Sequence, residues 1–144
     1  MYADYVYYSR TYYGTQITEC NWDRLATQAS DYIDYITLGR AASFVEAHPD
    51  SDAVKKCCCA LAERYQRFNN ARNEAMSLAE SGPLQSESVG SYSRTYRDGA
   101  SATAEIDQLE QAELRNVATQ YLLATGLLYR GGISCVHSAH CHGI

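Results

Sequence analysis

Five residues near the end of the chain, Cys135, His137, His140, Cys141 and His142, are of the types that bind zinc. Thiolate and imidazole are donors that zinc accepts, and four of them in a tetrahedron would hold the ion. The spacing CxHxxHCH matches no closed finger, and no second ligand pair stands far along the chain as a finger requires. We read the set as incidental to an uncharged tail and expect neither metal nor cofactor. Cys57, Cys58 and Cys59 are consecutive. Side chains one residue apart on a helix point about 100° apart and cannot pair without strain. With no CxxC and no adjacent histidine, close packing in a core accounts for them better than redox or nucleophilic chemistry. Glu105, Asp107, Glu110 and Glu113 fall early in a helix, where the dipole and a solvated face explain them. There is no phosphate-cradling glycine loop, no GxSxG and no HExxH. These residues point away from an enzyme.

A chain of 144 residues is long enough for one core and too short for two. Its apolar and charged fractions, 46% and 20%, are those of a globular protein. A net charge of −5 with no basic block argues against a broad phosphate-neutralising surface. It does not exclude lining a DNA channel, where a weakly repulsive wall lets a polyanion slide. Thirteen tyrosines stand against two phenylalanines. Tyrosine covers apolar area and keeps a hydroxyl for water or a partner, which suits surfaces half buried between subunits. No apolar run approaches the roughly 18–20 residues of a membrane span, and MYADYVYYSR has no signal-peptide pattern. Reduced thiols and a cytoplasm as the site of synthesis follow as expectations.

The periodicity predicts a mainly α protein, a small bundle of three main helices with a short β-hairpin or extended loop before the last. Residues 1–17, with Tyr2, Tyr5, Tyr7, Tyr8, Tyr12 and Tyr13, read as an arm or short first-turn element lying on the body or on a neighbouring subunit. Thr18–Leu38 has Trp22, Leu25, Ala26, Ala29, Tyr32, Ile33 and Ile36 at spacings of three and four, a helical stripe closed by Gly39. Residues 40–49 read as a connector. A second helix starts near Asp52, with Val54, Cys57, Cys58, Leu61, Ala62, Tyr65 and Phe68 inward and Lys55, Lys56, Glu63, Arg64 and Arg67 outward; it has the composition to continue to Glu80. Gly82-Pro83 breaks it. The last helix opens at Ser101 or Thr103 with Leu109, Leu114, Val117, Ala118, Tyr121, Leu122, Thr125 and Leu128 in period. Leu123, Leu127 and Tyr129 widen its apolar face, and Arg130 with Gly131-Gly132 ends it. Domain 1–132 is thereby set off from a tail, 133–144.

The order of these pieces carries a resemblance. A segment ending YGT, the helix DRLATQASDYIDYITLGRA, a second helix, a GP break, the loop SESVGSYSRTY and a last helix ending YLLATGLLYRGG follow one another. This arrangement resembles the small head–tail connector (head-completion or adaptor) proteins of tailed bacteriophages, over residues 1 to about 132. The sharpest pieces are Ser86–Tyr96 and Leu122–Gly131.

The resemblance implies a non-enzymatic virion protein that forms a ring, commonly dodecameric, beneath the portal protein. Such a ring extends the channel for packaged double-stranded DNA without reading its sequence, and receives a downstream neck or tail-completion protein. The loop before the last helix, Ser86, Glu87, Ser88, Val89, Gly90, Ser91, Tyr92, Ser93, Arg94, Thr95 and Tyr96, is implied to make subunit or channel contacts. Leu127, Leu128, Tyr129, Arg130, Gly131 and Gly132 are implied to lead into a portal-facing segment. The tail from Ile133 departs from the family pattern. The alternative is a small cytosolic helical binding or regulatory module, metal-responsive through its Cys/His tail.

Overall fold

The computed structural model describes residues 1–80 and 99–129. The described chain is helical: α1 (Tyr5–Arg10), α2 (Glu19–Thr37), α3 (Arg40–Ala47), α4 (Ala53–Glu80) and α5 (Gly99–Leu122), followed by a 3-10 turn (Leu123–Thr125). The mainly α class and the three-helix bundle expected from periodicity are what is found. No described helix is long and apolar enough to cross a membrane. The hairpin expected at Ser86–Tyr96 lies outside the described residues, as do the tail boundary and everything after Tyr129.

α4 is the axis of the bundle, with α2 and α5 both packed on it. Its first half is apolar almost all round: Val54, Cys57, Cys58, Cys59, Ala60, Leu61, Ala62 and Tyr65 are buried. A helix of that composition must be covered on several sides, and it is. α2 contributes Leu25, Ala26, Ala29 and Ile33, α5 contributes Leu114, Val117, Ala118 and Leu122, and the N-terminal segment covers the remaining side through Ala3 and Tyr8. The consecutive cysteines thus serve as small hydrophobes in the stretch of α4, residues 57–63, that is buried throughout. Cys58 reaches towards the Ala26 carbonyl at 3.6 Å and lies 3.5 Å from Ser30 Oγ, so α2 and α4 approach closely there.

The tyrosine-rich start contains the short helix α1, and it completes the core of its own chain. Asp4 caps α1 by accepting from the Tyr7 N–H at 2.7 Å. Tyr8 is wholly buried and stacks on Trp22 with ring centroids 4.5 Å apart. Its hydroxyl donates to Glu63 Oε1 (2.9 Å) and accepts from the N–H groups of Gln16 (3.0 Å) and Ile17 (3.2 Å). Glu63, expected on the solvated side of α4, is therefore buried. Helical periodicity within α4 could not show that a segment fifty-five positions away covers that face.

Three further expectations are corrected. The connector at 40–49 contains α3. Leu38 (φ 56) and Gly39 (φ 76) are both left-handed, so one turn ends α2 and starts α3, with Gly39 in the N-cap position. Gly39 follows the end of α2 as a stop residue does, and RAASFVEA resumes a helix beyond it. The last helix ends at Leu122, well before Gly131-Gly132, because Gly126 (φ 78) takes up the left-handed turn. Leu109, Leu123 and Tyr129, assigned to the apolar face, are exposed, whereas Leu127 is buried.

The α4–α5 pairing is antiparallel, since ion-pair partners rise along one helix as they fall along the other: Arg64 with Glu113 (3.1 Å), and Arg72 with Glu110 (2.6 Å) and Asp107 (2.7 Å). Glu110 was expected on a solvated face, yet its side chain is only 8% exposed and leans on Arg72. Removing one partner of a mostly buried pair leaves an uncompensated charge. Arg72→Met is expected to lower stability by about 2 kcal/mol, less than for a fully buried pair because Arg72 keeps some contact with water. Adding Glu110→Gln should recover part of that loss. Urea denaturation of the single and double variants checks both statements.

Candidate interaction surface

The described residues contain no set of three or more His, Cys, Asp or Glu placed to hold a metal ion. Burial pushes the thiols of Cys57, Cys58 and Cys59 well above the usual thiol range, so they stay protonated and unreactive in the folded chain. The Cys135, His137, His140, Cys141 and His142 set and the loop Ser86–Tyr96 lie outside the described residues. So do Arg130, Gly131 and Gly132. Leu127, Leu128 and Tyr129 are described, and a surface is assembled around them.

The chain leaving α5 is fastened by local and distant bonds. Thr125 Oγ1 donates to the Leu122 carbonyl (2.6 Å) and accepts from the Leu127 N–H (3.2 Å), which closes the turn at Gly126. Leu127 enters the core. From across the molecule, Arg40 donates through Nε to the Thr37 carbonyl (2.9 Å) and through Nη2 to the carbonyls of Leu127 (2.5 Å) and Tyr129 (3.0 Å). Arg40 can reach all three because the left-handed pair Leu38–Gly39 brings the start of α3 back over the end of α2. One guanidinium, with donors fanned in a rigid plane, thus ties the ends of α2 and α5 together.

The same end of the bundle exposes large apolar side chains: Tyr35 at 74%, Leu38 at 66%, Leu123 at 68% and Tyr129 at 62%. Beside them runs a groove of about 420 Å³ between α2 and α5. Tyr32, Tyr35 and Ile36 form one wall, Gln111, Arg115, Ala118 and Thr119 the other, and Leu128 closes an end. The groove exists because α2 and α5 each pack on α4 and hardly on one another. Arg115 stands beside the Tyr32 hydroxyl and is the single charged residue among the described lining residues.

The sequence places Leu127–Tyr129 in a helix end; the structure makes them a strap that Arg40 fastens to the end of α2, with Leu128 lining the groove beside Tyr35. The sequence does not reveal Arg40 as their anchor. The only local sign was a cation directly after Gly39, and the carbonyls it holds lie more than eighty positions away. Comparison with protein-family models, with curated proteins and with solved structures returns no match.

Proposed function

We propose that this chain is a structural subunit of a phage head–tail connector, assembling with copies of itself beneath a portal ring and helping to line the DNA channel. The observation that carries the reading is the order of segments from YGT through YLLATGLLYRGG, which resembles that family along nearly the whole chain. Two structural features support it. A rigid helical body is what a ring wall needs, and the apolar end built from Tyr35, Leu38, Leu123 and Tyr129 offers area that a protein partner would cover. The acidic net charge is compatible with DNA passing without sticking.

The exposed end also provides a test. Leu38 and Tyr129 are largely solvent-exposed, so Leu38→Asp with Tyr129→Asp should leave thermal unfolding close to that of the unmodified protein. Asp also tolerates the left-handed backbone at position 38. Association with a portal ring from the same genome, followed by sedimentation, is expected to weaken at least about tenfold, because each exposed aromatic or aliphatic anchor in an interface is worth upwards of about 1 kcal/mol. Undiminished association of the double variant would remove this end from the interface.

A further inference from the structure

We propose that the N-terminal arm, Met1–Tyr12, exchanges between copies of this chain, so that Tyr8 of one copy fills the Trp22–Glu63 site of a second. The inference is independent of the connector reading. It begins at Tyr13, which is left-handed (φ 62) and 79% exposed. That backbone is strained for a bulky residue that is neither glycine nor asparagine. The turn that closes the arm onto its own body holds it there. The Tyr12 N–H donates to the Tyr7 carbonyl (2.9 Å) and the Gly14 N–H to the Tyr8 carbonyl (2.8 Å), which sets Gly14 against the Tyr8 ring. The strain therefore sits at the joint between arm and body.

The arm's partners all lie beyond that joint. Trp22 donates through Nε1 to the Ala3 carbonyl (3.3 Å), Ser30 Oγ accepts from the Tyr2 N–H (3.0 Å), and Asp34 accepts from the Tyr2 hydroxyl. The Glu63 carboxylate and the Gln16 and Ile17 N–H groups that hold the Tyr8 hydroxyl are on the body side as well. Each of these contacts can be remade with the arm of a second copy. The site names its occupant: a carboxylate and two N–H groups meet one phenol stacked on an indole, which is the chemistry of this arm. The closed and exchanged forms share their contacts and differ at Tyr13, which leaves the left-handed turn when the chain passes to a neighbour. Short hinges under strain favour such exchange. Against it stands the local concentration of a tethered arm, about millimolar for a short link. Exchange is therefore expected at about millimolar protein, or where copies are gathered in an assembly. Releasing the arm uncovers Tyr8, so the exchange is slow and is speeded by warming.

Two full-length chains test the exchange. Both carry Cys20→Ser, Cys135→Ser and Cys141→Ser, which leaves the buried Cys57, Cys58 and Cys59 as the other thiols. One chain has Tyr2→Cys and the other Asp34→Cys, positions that meet when an arm is seated. Neither chain can join these positions within itself. After mixing at about millimolar concentration, warming and cooling, a short bis-maleimide should link position 2 of one chain to position 34 of the other. A chain with Glu74→Cys, on the exposed distal part of α4, should give no such link. Adding Tyr13→Gly to both chains lets the closed turn form without strain, and should lower the yield about tenfold or more because the penalty disappears at both joints of a pair. Absence of the 2–34 link, an equal yield from position 74, or a yield unmoved by Tyr13→Gly would each overturn the proposal. Arm exchange in a protein that ignores portal rings would uphold this inference and sink the connector reading.

Discussion

Tyr8→Ala is expected to remove about 4 kcal/mol or more of stability, enough to leave the chain mostly unfolded near physiological temperature. Three losses combine at this residue. The ring is fully buried between Trp22, Tyr5 and Tyr12, so truncation opens a cavity inside an aromatic cluster. The hydroxyl satisfies the Glu63 carboxylate and two backbone N–H groups, all of which lose a partner. The segment 1–17 then loses its anchor on α4. Packing at this point is tight: a Cβ at Gly14 would lie 2.0 Å from a Tyr8 ring carbon, so only glycine fits beside the ring. Tyr8→Phe separates the contributions, since it keeps the ring and deletes the bonds; a loss of about 2 kcal/mol is expected. Guanidinium denaturation followed by Trp22 fluorescence measures both. Near-neutral Tyr8→Ala would mean that the N-terminal segment is not part of the core.

The second large effect is a steep alkaline unfolding. Cys57, Cys58 and Cys59 are held above the ordinary thiol value of 9.0, chiefly by burial. Tyr7 and Tyr8 are pushed up to about 12 from 10.0, again chiefly by burial, with Asp52 and Glu63 adding to it. Tyr2, Tyr12, Tyr32 and Tyr65 shift in the same direction, burial first. Folded-state values above the unfolded ones mean that the native chain holds protons the unfolded chain releases. Their stabilisation is complete below pH 9 and is lost as pH climbs through the thiol and then the tyrosine range. Each such group contributes a slope of about 1 kcal/mol per pH unit, so several together can exhaust a marginal stability within about two units. Circular dichroism against pH should show one cooperative loss of helix beginning near pH 10. At pH 8, a thiol reagent should modify Cys20 and leave Cys57, Cys58 and Cys59 untouched in the native chain. Helix content unchanged beyond pH 12 would contradict this picture of the core.

How far the sequence foretells these features depends on the range of the interactions behind them. Trp22, Leu25, Ala29 and Ile33 repeat at helical spacing, so α2 and its buried face can be read directly. The cysteine run can be read the same way, because no chemistry at that spacing competes with packing. Glu63 and Glu110 cannot, since carboxylates on an amphipathic helix are assigned to solvent unless a distant partner is known. Here the partners are Tyr8 and Arg72, supplied by other elements. The end of α5 escapes for a related reason. Leucines around Gly126 keep the helical period alive, while the termination depends on Thr125, on burial of Leu127 and on Arg40 holding the strap from across the bundle. The candidate surface is accordingly half legible: its residues Leu127–Tyr129 were singled out by resemblance, and its other half, Tyr35, Leu38 and Arg40, emerges only from the fold.

The measurement that bears most directly on the connector role is imaging of the full-length protein mixed with a portal ring from the same genome. The account predicts a second ring of helical density stacked coaxially on the portal, with the apolar end of each subunit covered. Portal rings that remain bare at saturating protein, together with stoichiometric zinc uptake by the isolated chain, would contradict it and favour a metal-responsive module.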